Sequence, residues 1–193
     1  MSGPDVPGAP APPEEFRAAV ARWATGVTVV TARGRHPHAM TANSVASVSL
    51  DPPTLLVCLE VDSRVHDAVL DDGRFGVSVL AHDQQAVAAW LATRGRPLLG
   101  QLERVAHGPG PVLGVPLVEG ALATFECAVA AAHPAGDHTV VLGEVRGVGG
   151  GAPAAEPLVW FASAYRSLAD PSRPTRPERP ERPEQQGRAL PDR

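Results

Sequence analysis

A chain of 193 residues is long enough for one domain of ordinary size with tails. Its formal net charge of −4 and its 4% aromatic content exclude the basic field and the stacking platforms of a nucleic-acid binder. All 17 basic residues are arginines, which rules out a Walker-type phosphate loop and a Schiff-base lysine.

Residues 1–13 are mostly Pro, Gly and Ala and are expected to be disordered. They lack the basic and apolar regions of a signal peptide. No run approaches the ~18 apolar residues that span a membrane, so the expected location is cytoplasmic. Phe16, Val20 and Trp23 then recur at i, i+4 and i+7, which predicts a helix closed at Gly26. From there the pattern becomes β-branched. Residues 27–32 (VTVVTA), 40–50 (MTANSVASVSL) and 54–61 (TLLVCLEV) read as successive strands, with Asp51-Pro52-Pro53 as a turn. A short helix from Ser63 to Leu70 ends at Asp71-Asp72-Gly73. Residues 76–80 form another strand, and Asp83 is placed to N-cap a helix through Trp90, with Val87 and Leu91 on one face.

Residues 94–120 are rich in Gly and Pro and read as a surface excursion. Two long strands, 121–133 and 138–148, are joined by Pro-Ala-Gly-Asp, and 157–161 (PLVWF) is a last short strand before a terminal turn. Residues 169–193 form a Pro/Arg/Glu-rich segment with almost nothing apolar, and disorder is expected there too. The folded domain therefore spans 14–168. Strands outnumber helices and short turns join long strands. The expected fold is mainly β, an antiparallel β-barrel with peripheral helices. No Gly-x-Gly-x-x-Gly links a strand to a helix, so any dinucleotide is bound without a Rossmann unit. Cys58 and Cys127 lie in apolar runs without metal-like spacing and read as buried free thiols. His36 and His38 flank a turn and make a weak case for metal ligation.

The most unusual stretch is 40–50. On regular pleating, Thr41, Asn43, Val45, Ser47 and Ser49 share one face, while Met40, Ala42, Ser44, Ala46, Val48 and Leu50 share the other. The polar face carries small hydroxyls and the chain's only Asn, without charges. It suits either a solvated strand or a shelf for a ligand's polar edge.

These residues carry a resemblance. GVTVVTA followed by MTANSVASVSLDPPTLLVCL is similar to the front half of the flavin reductase family, the NAD(P)H-dependent partners of two-component flavin monooxygenases. RFGVSVLAHDQ, ATFECAV, AGDHTVVLGEV and PLVWFASAYRSL match later blocks in order, over roughly residues 16–168. The resemblance implies an antiparallel split β-barrel of the FMN-binding type, acting as a homodimer. It implies flavin contacts from Met40, Thr41, Ala42, Asn43, Ser44, Ser47, Val48 and Ser49, and a phosphate site at Ser63 and Arg64. His138, in Gly136-Asp137-His138, falls where the family's histidine meets the nicotinamide. The implied activity is reduction of FMN or FAD by NADH or NADPH, with reduced flavin passing to a separate monooxygenase. Ala39 stands where the family commonly has Gly, and Val45 where it often has an aromatic.

Hydride transfer from nicotinamide to flavin asks the protein chiefly to stack two flat rings with reacting atoms ~3–3.5 Å apart. Arg94, Arg96 and Arg104 are candidates to meet a 2′-phosphate. The residues leave FMN and FAD unseparated, and NADH and NADPH likewise. They also leave open a split-barrel oxidoreductase with tightly bound FMN, a non-catalytic flavin-binding module, and a barrel that binds no cofactor.

Overall fold

A computed structural model of the chain describes residues 8–97, 99–151 and 155–168. Residues 1–7 and 169–193, where most of the expected disorder falls, lie outside the described residues.

The chain begins with α1 (Pro13–Val20), then β1 (Thr25–Gly26), β2 (Thr28–Ala32), β3 (His38–Ala42), β4 (Val45–Leu50) and β5 (Pro53–Glu60). α2 (Arg64–Asp72) and β6 (Arg74–Val79) follow, then a 3-10 turn (His82–Gln84) leading into α3 (Gln85–Ala92). A hairpin of β7 (His107–Pro109) and β8 (Pro116–Val118) precedes the long hairpin β9 (Ala123–Ala135) and β10 (His138–Gly150). β11 (Val159–Phe161) and β12 (Ala164–Arg166) end the described chain.

Seven strands form one antiparallel sheet in the order β3-β2-β6-β9-β10-β5-β4. β3 and β4 occupy its two edges, yet only Asn43 and Ser44 separate them in sequence. Three Cα–Cα steps reach at most about 11 Å, so the sheet must curl until its edges meet. No ladder joins β3 to β4, and the barrel is therefore split along that seam. The expected barrel is what the chain forms, but the expected continuous strand 40–50 is not. Ser44 already belongs to the other edge: its Oγ donates to Cys58 O at 3.0 Å and its carbonyl accepts from Cys58 N at 3.1 Å.

The barrel interior is filled by alternate residues of its strands: Val30 and Ala32, Val57 and Leu59, Phe75 and Val77, Cys127 and Val141, with Val65, Ala68 and Val69 from α2. A second core lies on the outer face of β2, where Val27 and Val29 meet Ala88 and Leu91 of α3 together with Leu102, Val105 and Val118. β2 is buried on both faces as a result. Residues 94–120 are thus not a mere surface excursion but a cover over the sheet.

Three local expectations are also corrected. α1 stops at Ala21 and Gly26 pairs in β1, so Gly26 is not its cap, and Phe16 and Trp23 remain 65% and 72% exposed. Asp83 makes no cap. Gln84 does the local fastening, accepting from Ala81 N at 2.9 Å and donating to Glu119 O at 2.8 Å. The β9–β10 turn is only Gly136-Asp137, tight enough that Gly136 adopts φ +64°. The α2 expectation held: Ser63 Oγ accepts from His66 N at 3.1 Å, and Gly73 ends the helix. Both cysteines are free. No helix of the described residues is long and apolar enough to cross a membrane.

Candidate functional site

A cleft of about 470 Å³ opens between the N-terminus of α2, the edge strand β3 and the C-terminal end of α3, within the about 300–1,000 Å³ typical of small-molecule sites. Its floor is Ala39, Met40 and Thr41. One wall carries Glu60, Asp62, Ser63 and Arg64, and the other runs from Leu91 to Arg96.

The charge in this cleft is unbalanced. Arg64 Nη1 donates to the carbonyls of Arg96 and Pro97, each at 3.2 Å. Arg96 donates to Thr93 O and Ala39 O at 2.8 Å, and also to Trp90 O and Leu91 O, so it caps the C-terminus of α3 and ties it to β3. Among the described residues neither guanidinium meets a carboxylate, and Arg96 Nε is buried without a partner. Burial first, and the Arg64 charge second, lower the Arg96 pKa, though a guanidinium stays protonated under any physiological condition. The same burial, followed by Arg64 and His36, holds His38 below its ordinary value. Two cations beside the N-terminus of a nine-residue helix whose cap is a serine are chemically suited to an anion, although Asp62 and the Arg94-paired Glu60 share the lining.

At its other side the cleft adjoins a hollow of about 260 Å³, sharing Thr41 and Ala92 with it. Val27, Asn43, Trp160 and Tyr165 complete that lining. Trp160 and Tyr165 pack edge to face, centroids 4.9 Å apart at 68°, and burial raises the Tyr165 pKa. An aromatic wall facing a side-chain amide suits a flat heteroaromatic ring with a polar edge.

The sequence-predicted residues divide along the seam. Met40 and Thr41 line the cleft and Asn43 the adjoining hollow. The Thr41 hydroxyl donates to Ala88 O at 2.7 Å, so its proton is used within the protein. Ala42 is buried in the barrel core, and Ser44 is fastened to β5. Ser47 and Val48 are exposed on β4, and Ser49 Oγ turns to Asp51 O at 3.0 Å, away from both hollows. Ser63 and Arg64 stand together in the cleft as expected. His138 starts β10, paired with Glu60 of the cleft wall, and its Nδ1 lies 2.7 Å from Asp137 Oδ1. That hydrogen bond and the histidine's charge lower the Asp137 pKa.

Sequence reasoning missed Arg96 as a cleft residue, along with Glu60, Trp160 and Tyr165. Arg94, another suggested phosphate contact, is paired with Glu60 at 3.0 Å on the rim. Arg104 lies over the Trp90 ring, 5.3 Å from its centroid.

The family profile described as "Flavin reductase like domain" matches residues 20–169. The chain is 38% identical over 165 residues to an NADH-dependent flavin reductase of Rhodococcus sp, covering 81% of this chain and 86% of the relative. The flavin reductase component of a bacterial two-component tryptophan halogenase superposes with a TM-score of 0.77 at 47% identity, covering 81% of this chain and 98% of that one. The NADH:FAD oxidoreductase of Streptomyces globisporus C-1027, solved with NAD and FAD fragments, superposes with a TM-score of 0.78 at 35% identity, covering 86% of this chain and 100% of its own.

Proposed function

The chain belongs to the flavin reductase-like family, and from that premise we propose that it is an NAD(P)H:flavin oxidoreductase, using NADH to reduce FMN or FAD for a separate monooxygenase. The observation that carries this reading is the pair of adjoining hollows, cationic at the start of α2 and aromatic beside Asn43. A molecule with a phosphate and a flat ring fits both ends.

In this reading Ser63 and Arg64, with Arg96 behind them, hold the flavin phosphate. The buried, unpartnered Arg96 Nε is a mark of cationic capacity left unsatisfied by the protein itself. Met40, Thr41 and Asn43 present backbone and amide to the ring's polar edge, and Trp160 with Tyr165 supplies the flat wall. When bound, flavin supplies the ring that accepts hydride from the nicotinamide. The protein neutralises the phosphate, excludes water from one ring face and fixes the approach of the second nucleotide. His138 makes that last contact: with Nδ1 directed at Asp137, Nε2 is left as the ring's second hydrogen-bonding atom. No nucleophile or general base is required.

We also read the working form as a homodimer in the cytoplasm. Support comes from apolar side chains left on the surface of one chain, Trp23 and the 93% exposed Leu50 among them, and from two unpaired thiols. The test follows NADH and NADPH absorbance with and without FMN or FAD, then repeats it with His138→Ala. Flavin-dependent oxidation is expected, with NADH preferred and the variant raising the NADH KM about ten-fold, the worth of one good hydrogen bond. Flavin binding without nucleotide oxidation would overturn the enzyme reading in favour of a binding module.

A further inference from the structure

The proposed site is divided between two elements, with Ser63 and Arg64 opening α2 and His138 opening β10. The β9–β10 turn beside His138 projects from the barrel, and residues 132–137 are all exposed. Strand pairing alone leaves such a tip free to fray. Two bonds fasten it to the phosphate corner. Val61 N donates to Asp137 O at 3.1 Å, and His66 Nε2 lies 3.0 Å from Thr139 Oγ1.

His66 joins both halves through different atoms. Its backbone N–H donates to Ser63 Oγ, which occupies one of the hydroxyl's two lone pairs and leaves its proton for a ligand. Its ring then crosses to β10. Nδ1 lies 2.9 Å from Asp67 Oδ1, and a carboxylate only accepts, so Nδ1 donates there, while Nε2 is hydrogen-bonded to the Thr139 hydroxyl at 3.0 Å. Thr139 is 6% exposed and the His66 side chain 12%, so water competes poorly for this bond. Thr139 is the neighbour of His138, and strand alternation sends Thr139 inward while His138 faces out. His66 does not line the cleft; it acts on ligands only through what it holds.

We infer that His66 is a positioning residue that couples the flavin-phosphate corner to the nicotinamide-facing histidine, so that occupancy of one favours binding at the other. This rests on the functional reading above. The tests are Thr139→Val, which keeps shape and loses the hydroxyl, and His66→Leu, each against a variant that keeps the polar link, Thr139→Ser and His66→Gln. Flavin dissociation constants without nucleotide, NADH kinetics at saturating FMN, and Tm are measured for all four. Loss of one shielded hydrogen bond predicts an NADH KM raised about 3- to 10-fold in Thr139→Val and His66→Leu. Flavin affinity in the absence of nucleotide should stay within about two-fold of wild type, and the serine and glutamine variants should recover most of the KM. The His66→Leu/Thr139→Val double variant should be no worse than either single change.

An unchanged NADH KM in Thr139→Val, in a wild-type background that turns over, would overturn the coupling. So would a loss shared equally by KM, flavin affinity and Tm that Thr139→Ser fails to recover, because that pattern belongs to a merely structural bond. Wild-type protein without flavin-dependent NADH oxidation would overturn the functional reading itself, before any variant is compared.

Discussion

Arg64→Ala separates a phosphate contact from a structural prop. Arg64 spends Nη1 on the carbonyls of Arg96 and Pro97 and retains Nη2 and Nε for a ligand. A hydrogen bond to a charged group contributes about 1.5–3 kcal/mol, equivalent to about 10- to 150-fold in a dissociation constant. Arg64 is exposed, and Arg96 remains behind it, so the low end applies: FMN should bind about 10- to 30-fold more weakly. Riboflavin is the control, having the same ring and no phosphate, and its affinity should move by less than about two-fold. Arg64→Lys should fall between, since an ammonium keeps the charge but loses the fork. Titration of flavin fluorescence at low and moderate salt reads both ligands, with the FMN deficit shrinking as salt rises. Equal losses for FMN and riboflavin would refute the reasoning, because Arg64 would then act only by holding the Arg96–Pro97 turn.

Two further predictions concern the chain's stability. Glu126 is 1% exposed, and its carboxylate accepts from Val112 N at 2.9 Å, Leu113 N at 2.5 Å and Gly114 N at 3.1 Å, pinning the loop that leads to β8; Gly110 packs so closely that a Cβ there would collide with the carboxyl carbon. Glu126→Ala orphans three donors and should cost about 3–5 kcal/mol in urea unfolding, and a loss below about 1 kcal/mol would show that the loop re-forms its bonds elsewhere. Burial, with the Glu126 charge beside it, pushes the Cys127 thiol from an ordinary 9.0 up to about 12. Between those values the unfolded thiol has lost its proton and the native one has not, so this contribution to stability is complete below about pH 9 and is lost as pH rises towards 12. Cys127→Ala should flatten that alkaline slope, and at most one thiol per native chain should react with a disulfide reagent at pH 8; rapid reaction of both would contradict the burial.

Much of the fold was legible because it is written in local chemistry. β-branched runs marked β2, β5, β6 and β10, and Ser63 with Gly73 bracketed α2. What periodicity cannot encode is which neighbour a strand chooses. Residues 40–50 alternate well enough to read as one strand, yet β3 pairs with β2 and β4 with β5, at opposite edges of the sheet. The polar face assigned to that stretch was therefore divided between a cleft and an exposed strand. Helical spacing in α1 likewise marked an apolar stripe without saying that this chain leaves it uncovered. Arg96, one of 17 arginines in the chain, was legible only as a candidate for a 2′-phosphate in a Gly- and Pro-rich stretch, not as the residue that fastens this cleft. Its role depends on the carbonyls that α3 and β3 bring to it, which are tertiary facts.

The split in the barrel also explains why the site is where it is. Inside a closed ladder, backbone groups are spent on neighbouring strands, and the interior here is filled with apolar side chains down to Phe75 and Leu59. Only where the ladder stops does the sheet present an edge that is free of a strand partner. Of the two such edges, β3 and β4, the chain covers β3 with α3 and the turn that follows, fastened by Arg96 to Ala39 O and by Gln101 Oε1 to Ala39 N at 3.3 Å. Met40 and Thr41 still line a gap beside that cover, and α2 brings its N-terminus to the same gap. An edge that would otherwise invite strand addition is thereby turned into a recess with backbone at its floor and cations at one end. Chemistry that needs stacked rings and a neutralised phosphate, with no side-chain base, can be run from such a recess by a chain that has no lysine.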